Sequence, residues 1–225
     1  MPRTSRIVIV DAAHHVMQRS NDGEDVFVTD EDREVFLAHL REATERFGLI
    51  VEGYCLMSSH VHLVATPQEE TSLGSALKRT NQLYTQYVNR VHGRRGHLWQ
   101  DRFFSCPLDD AHYWKALAYV ERTPVRARWC RKPWRYVWSS AAAHCGGPDG
   151  SGLLDLDLWS QQIDPDDWQN EVAQRCDDAE IEQLRLCTSR GRPWAGKPFI
   201  RKWEARLDRR LHALPPGRPK KSGHE

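Results

Sequence analysis

Two histidines separated by one apolar residue, His60-Val61-His62, stand inside Tyr54-Cys55-Leu56-Met57-Ser58-Ser59-His60-Val61-His62-Leu63-Val64, a run that otherwise has the composition of a buried strand. Side chains on a strand alternate between faces, so residues two apart project the same way. In an extended chain both imidazoles therefore leave one face while Val61 and Leu63 point into the core. Neutral imidazole binds Mn, Zn, Fe and Ni well and can share a mixed site for Mg. The chemistry suggested is that of two ligands for one divalent cation. A pair of ordinary structural histidines fits the same pattern, and only other residues separate the two readings.

Those residues form a series. His14-His15-Val16-Met17-Gln18-Arg19-Ser20-Asn21 precedes the histidine strand; Gly96-His97-Leu98-Trp99-Gln100-Asp101-Arg102-Phe103, Ala118-Tyr119-Val120-Glu121-Arg122-Thr123-Pro124-Val125-Arg126-Ala127 and Trp138-Ser139-Ser140 follow it. In this order the segments resemble the single-tyrosine HUH transposases, in particular the REP-associated tyrosine transposases and their insertion-sequence 200-like relatives. The resemblance covers residues 5–145. It implies that His60 and His62 hold a divalent metal, Mg2+ or Mn2+, and that Tyr119 is the nucleophile. It further implies an enzyme that cuts and rejoins single-stranded DNA beside hairpin, REP-like sequences through a 5′-phosphotyrosine link with a free 3′-hydroxyl.

Two departures from the family pattern stand out. Thr123 takes the place of an asparagine before Pro-Val, and Ser58-Ser59 that of Pro-Asn before the histidines. The third metal ligand is open between Thr123, Glu121 and water. Without the resemblance, Tyr119 reads first as a core aromatic on the sheet-facing side of its helix. Tyr113 is the rival nucleophile; six positions earlier, it lies about 120° round a helix, so both tyrosines cannot face one metal. Two other classes are open: a domesticated protein that binds hairpin DNA without cutting, and a metal-dependent hydrolase, for which no HExxH or Asp-rich motif is present.

The elements that must position these groups alternate along the chain. Ile7-Val8-Ile9-Val10 and the segment around His15-Val16-Met17 read as strand. Thr29 with Asp32 opens a helix as in a capping box, Phe36, Leu40, Ala43 and Phe47 give it an apolar face, and Gly48 closes it. Leu49 to Met57 reads as strand, leading into the histidine strand. Leu73, Leu77, Thr80, Tyr84, Tyr87 and Val91 follow helical spacing up to Gly93. Gly96 to Cys106 reads as extended. Asp109 or Asp110 caps a further helix that ends near Arg122, because Pro124 disfavours helical geometry at Thr123. This order predicts an α+β, ferredoxin-like antiparallel sheet with helices on one face. A break at Gly146-Gly147-Pro148 suggests three regions: a catalytic domain over 1–147, a helical C-terminal region over 148–214, and a basic tail over 215–225. Residues 165–187 and Pro198 to Leu211 read as helical.

The net charge of +1 hides segregation. Residues 149–182 carry eleven acidic side chains against Arg175, and residues 188–221 carry eleven basic ones against Glu204 and Asp208. Lys78 to Arg102 holds six basic residues and one acidic, with Tyr84, Tyr87 and Trp99 interleaved. Such clusters fit a phosphate backbone through counterion release, or else a solvated face. The candidate DNA contacts are Arg19, Lys78, Arg79, Arg94, Arg95, Arg102 and Arg126, Trp99 as a stacking group, and Arg218, Lys220 and Lys221 of a Gly-Arg-Pro segment resembling an AT-hook. The six cysteines include no CxxC pair and suit reduced thiols. With no long apolar run, a cytoplasmic protein is expected, acting on single-stranded and hairpin DNA as a monomer or homodimer.

Overall fold

A computed structural model describes residues 5–212 of the chain. Four antiparallel strands, β1 (His14–Arg19), β2 (Leu49–Leu56), β3 (His60–Pro67) and β4 (Phe104–Pro107), form one sheet in the order β2-β3-β1-β4. Helices α1 (Asp30–Phe47) and α2 (Ser72–Val91) complete the β-α-β-β-α-β plan of a ferredoxin-like fold.

The start of α1 is held by the expected reciprocal cap. Thr29 Oγ1 accepts from the Asp32 amide, while the Asp32 carboxylate accepts from the amides of Val28 and Thr29. That carboxylate also meets His92 Nε2 at 2.8 Å, tying the start of α1 to the end of α2. Gly48 ends α1 at φ 62°, a conformation that favours glycine. Phe27, Phe36, Leu40, Leu56, Val61, Leu63, Leu73 and Tyr84 fill the core between these helices and the sheet.

The apolar stripe of α2 runs through Leu73, Ala76, Leu77, Thr80, Tyr84 and Val88, not through Val91, which is 52% exposed. This rotation buries Tyr84 completely, and its hydroxyl donates to the Val26 carbonyl at 2.6 Å. Trp99 leans on Phe36 and Tyr84. The expected mixture of bases and stacking aromatics is thus largely core on its aromatic side.

The opposite face of the sheet is covered as well. Helices α3 (Asp110–Glu121), α4 (Thr123–Arg126), α5 (Ala141–His144), α6 (Leu156–Gln162), α7 (Pro165–Ala173), α8 (Asp178–Arg190) and α9 (Lys197–Leu207) follow β4. Cys55 and Val64 of the sheet, Leu117 of α3, Trp159 of α6, Trp168 of α7 and Leu184 of α8 share one buried cluster. Beside a bulge in β2, a Cβ on Gly53 would lie 2.2 Å from Leu117 Cδ1, so glycine there lets α3 sit tight against the sheet.

One strand expectation fails and another narrows. Ile7 to Val10 forms no strand; Ile7 and Ile9 instead plug a small cluster with Leu211 and the apolar side of α9. Of Gly96 to Cys106, only the segment from Phe104 is strand, because β1 offers β4 just four paired positions, from His14 to Met17. The six cysteines are free, and among the described residues no helix is long and apolar enough to cross a membrane.

Candidate active site

The two central strands carry the site. His62 lies opposite Met17 and His60 opposite Arg19, while His15 pairs with Val64 and so sits diagonally from His62 on the same face. Alternation works as the spacing requires: Val61 and Leu63 enter the α1–α2 core, and His60 and His62 face α3. The rings of His60 and His62 stand 5.1 Å apart at right angles.

Tyr119 comes from the last turn of α3. Asp109 caps the start of this helix by accepting from the His112 amide, and Pro124 ends it by beginning α4. The Tyr119 ring meets His62 and His15 edge-on, at centroid distances of 5.5 and 5.6 Å. Arg126 lies over its other side, with Cζ 3.9 Å from the ring centre. Arg126 also donates to the Tyr119 carbonyl at 2.7 Å and to Thr123 Oγ1 at 2.9 Å. The Thr123 hydroxyl in turn donates to the Tyr119 carbonyl. Arg185 of α8 donates from Nε to the Tyr119 hydroxyl at 3.4 Å.

These groups line one cleft of about 670 Å³, together with Arg19, Ser59 and Thr188. Its histidines are held neutral. Burial, then the charge of Arg126, pushes His15 down to about 3; burial with Arg19 and Arg126 pushes His60 down to about 4; His62 is lowered well below its ordinary value, first by burial. Both His60 and His62 therefore offer imidazole lone pairs at neutral pH.

Among the described residues no group of three or more His, Cys, Asp or Glu side chains is placed to hold a metal. Two neutral imidazoles with Arg19 and Arg126 close by make a donor set short of negative charge. It fits a divalent cation that arrives with, or is completed by, anionic phosphate oxygens and water. Thr123 lines the cleft with its hydroxyl proton and one acceptor position already in use. Glu121 is turned away: Ser140 and His144 donate to one carboxylate oxygen and Trp168 Nε1 to the other, deep in the second core. Tyr113 also lies away from the histidines, against Trp114.

The predicted DNA contacts divide. Arg19 and Arg126 belong to the cleft. Lys78, Trp99 and Arg102 line an adjoining cleft; the indole Nε1 of Trp99 is itself buried and has no hydrogen-bond partner. Arg102 also joins Arg6, Arg190, Arg192 and Arg209 around a smaller notch, which shares Thr188 and Ser189 with the main cleft. Burial and the charge of Arg102 lower Arg6 to about 10. Arg79 influences His39 of α1 instead, Arg94 pairs with Glu24, and Arg95 is exposed. Arg218, Lys220 and Lys221 lie outside the described residues.

His15 reads from the sequence as a strand residue near the site that could contact DNA; its role as a partner of His62 depends on the diagonal across β3 and escaped that reading, as did two further contributors. Arg185 and Thr188 come from a helix more than 60 residues after Tyr119, and nothing local marks them.

Comparisons with known proteins bear on the fold and the family. No curated protein matches the chain. A solved structure described as a REP-associated tyrosine transposase bound to a REP hairpin superposes with a TM-score of 0.56 at 14% identity, over 70% of this chain and 90% of that one, and supports the fold. A transposase structure from Deinococcus radiodurans R1 overlaps at a TM-score of 0.34 and 20% identity, over 53% of this chain and 96% of that one, too slight a likeness to bear on the fold. Residues 9–123, just over half of the chain, match the family described as "Transposase IS200 like", and the protein belongs to that family of transposases.

Proposed function

We propose that this transposase is a metal-dependent single-stranded DNA endonuclease and strand transferase that uses Tyr119 as nucleophile beside hairpin DNA. The observation that carries this reading is the placement of the Tyr119 ring edge-on against the neutral, strand-borne His62 and His15, beside His60, in one arginine-rimmed cleft. Arg185 donates to the Tyr119 oxygen, so the hydroxyl's own proton points elsewhere. The oxygen would attack the scissile phosphorus in line, forming the Oη–P bond as the P–O3′ bond breaks. The phenolic proton leaves to water, and the 3′-oxygen takes one up as a free hydroxyl. Reversal by another 3′-hydroxyl restores Tyr119 and joins the strands.

A divalent ion, Mg2+ or Mn2+, held by His60 and His62 would supply Lewis-acid neutralisation of charge on the phosphate. Arg19 and Arg126 orient the phosphate flanks through forked donors, and Thr123, bonded to the Tyr119 carbonyl and to Arg126, braces the nucleophile's backbone. The adjoining cleft with Lys78, Trp99 and Arg102 suits the DNA strand next to the cut.

The test is incubation of the protein with labelled single-stranded DNA carrying a hairpin and Mn2+ or Mg2+, followed by a denaturing gel. A covalent protein–DNA band is expected, lost in Tyr119→Phe and kept in Tyr113→Phe, with hairpin binding in both variants within a few-fold of the wild type. A band that survives Tyr119→Phe but not Tyr113→Phe would overturn the assignment. Cleavage without a covalent band would indicate a hydrolase, and a native-gel shift alone a hairpin-binding protein.

A further inference from the structure

One chain of hydrogen bonds behind the histidines has a direction. Thr188 Oγ1, on α8, lies 2.7 Å from the Leu184 carbonyl, 2.8 Å from His15 Nδ1 and 3.3 Å from Cys106 Sγ. Two oxygens 2.7 Å apart without a proton between them would repel, so the single hydroxyl proton of Thr188 belongs to the Leu184 carbonyl. Thr188 then meets His15 only as an acceptor, and His15 Nδ1 must carry a hydrogen. The other nitrogen, His15 Nε2, is left as a lone pair. It faces His62 Nδ1 at 3.0 Å, which must donate to it. The proton of His62 is thereby spent on Nδ1, and Nε2 is left bare.

We infer that Thr188, through His15, is a positioning residue that fixes His62 in the tautomer whose Nε2 is free to bind a cation. The inference rests on the reading of His62 as a ligand, and extends the site to a helix beyond the residues 9–123 that the family shares. Every member of the relay is buried, with Thr188 and His15 at 1% exposure and His62 at 3%. Water therefore does not offer the competing partners that would scramble the tautomers. The rings of His15 and His62 lie nearly parallel, 5.2 Å between centroids and 19° between planes, which suits an in-plane hydrogen bond from one ring nitrogen to the other. An orienting partner on the second nitrogen of a metal-binding histidine typically matters by about 10–100-fold in metal affinity. Here the orienting partner is a second histidine, itself oriented by a hydroxyl from the C-terminal region.

The experiment uses the metal-free full chain. Two-dimensional 15N NMR of uniformly labelled protein reads the protonated nitrogen of each imidazole, and Mn2+ titration followed by electron paramagnetic resonance reads affinity. Both His15 and His62 are expected as the Nδ1–H form, which is the minority form of a free imidazole side chain and hence a discriminating signature. Thr188→Val, equal in shape but without the hydroxyl, should lose that signature at both rings and weaken Mn2+ binding about 10–100-fold. Thr188→Ser, which keeps the hydroxyl, should restore both. His62 found as the Nε2–H form in the wild-type chain would overturn the relay, as would Thr188→Val matching the wild type in both readouts. If Thr188→Val fails to fold, the wild-type and Thr188→Ser spectra still decide. A chain that shows the expected tautomers but forms no covalent DNA band would refute the proposed reaction and leave the relay standing.

Discussion

The two faces of the sheet are built from the same strand to opposite ends. β3 gives Val61, Leu63 and Ala65 to the α1–α2 side, where Phe27, Phe36 and Tyr84 pack ring against ring with a single hydroxyl bond to the backbone. Its alternate residues, His60, His62 and Val64, face α3 and α8, where histidines, arginines and a threonine are held in a directed network. The first face consists of shape and area, the second of orientation. Stability and chemistry can thus be separated across a layer one strand thick, and substitutions on the two faces should fail in different ways.

The largest effect falls on the polar face. His62→Ala removes one of the two proposed imidazole ligands and is expected to abolish the covalent DNA band with every divalent ion tried, a loss of several kcal/mol in stabilisation of the phosphoryl group. Its folding midpoint in urea should shift less than that of an apolar-face variant, because the vacated space opens to the cleft and water can fill it. A normal band from His62→Ala, or full wild-type activity in excess chelator, would break the comparison at its chemical end. On the other face, Phe36→Ala leaves a void among buried rings and should cost about 3–5 kcal/mol in urea denaturation. Its folded fraction should retain Mn2+ binding, and a loss of Mn2+ affinity out of proportion to unfolding would mean that the faces are coupled.

A smaller effect tests the neutrality of the buried imidazoles. His14 is fully buried, with the Ile9 amide 3.2 Å from Nε2 and the Ala12 carbonyl 2.8 Å from Nδ1, and burial holds it down to about 4. Its acceptor nitrogen already faces a donor, so protonation has no place in the folded chain. An unfolded histidine takes up its proton near pH 6.5, so between about pH 6.5 and about pH 4 the unfolded state binds more protons and stability falls as pH falls. His15, His60 and His62 shift in the same direction. His14 alone should contribute on the order of 2 kcal/mol to the loss across that window. Urea melts above and below the window should show a smaller drop for His14→Gln than for the wild type; equal drops would remove His14 from the balance.

Much of this division was legible in local pattern. The capping box at Thr29 and Asp32 and the alternation around His60 and His62 each depend on residues within a few positions of one another, and both took the expected form; α3 also ends beside Arg122, although Thr123, expected to leave helical geometry before Pro124, instead opens α4. Errors arose where a choice depended on rotation or partnership. A slight roll of α2 exchanged Val91 for Val88 on its buried stripe. Glu121, two positions beyond Tyr119, lies about 200° round the helix, and its carboxylate went to the opposite side. Ile7 to Val10 has strand composition, but no sheet edge receives it. Thr188 meets His15 across 173 positions, a distance no spacing rule reaches.

The setting of Glu121 has a mechanical consequence for its neighbour Tyr119. Ser140 and His144, at the two ends of α5, and Trp168 of α7 grip that carboxylate, and losing a buried hydrogen bond to such a group costs about 1.5–3 kcal/mol. A screw or slide of α3 of even half a turn would break all three at once, so the helix behaves as a keyed shaft. Any travel of the phenol between one strand of DNA and the next must then come from its own side-chain torsions, with the backbone beneath it as a fixed pivot.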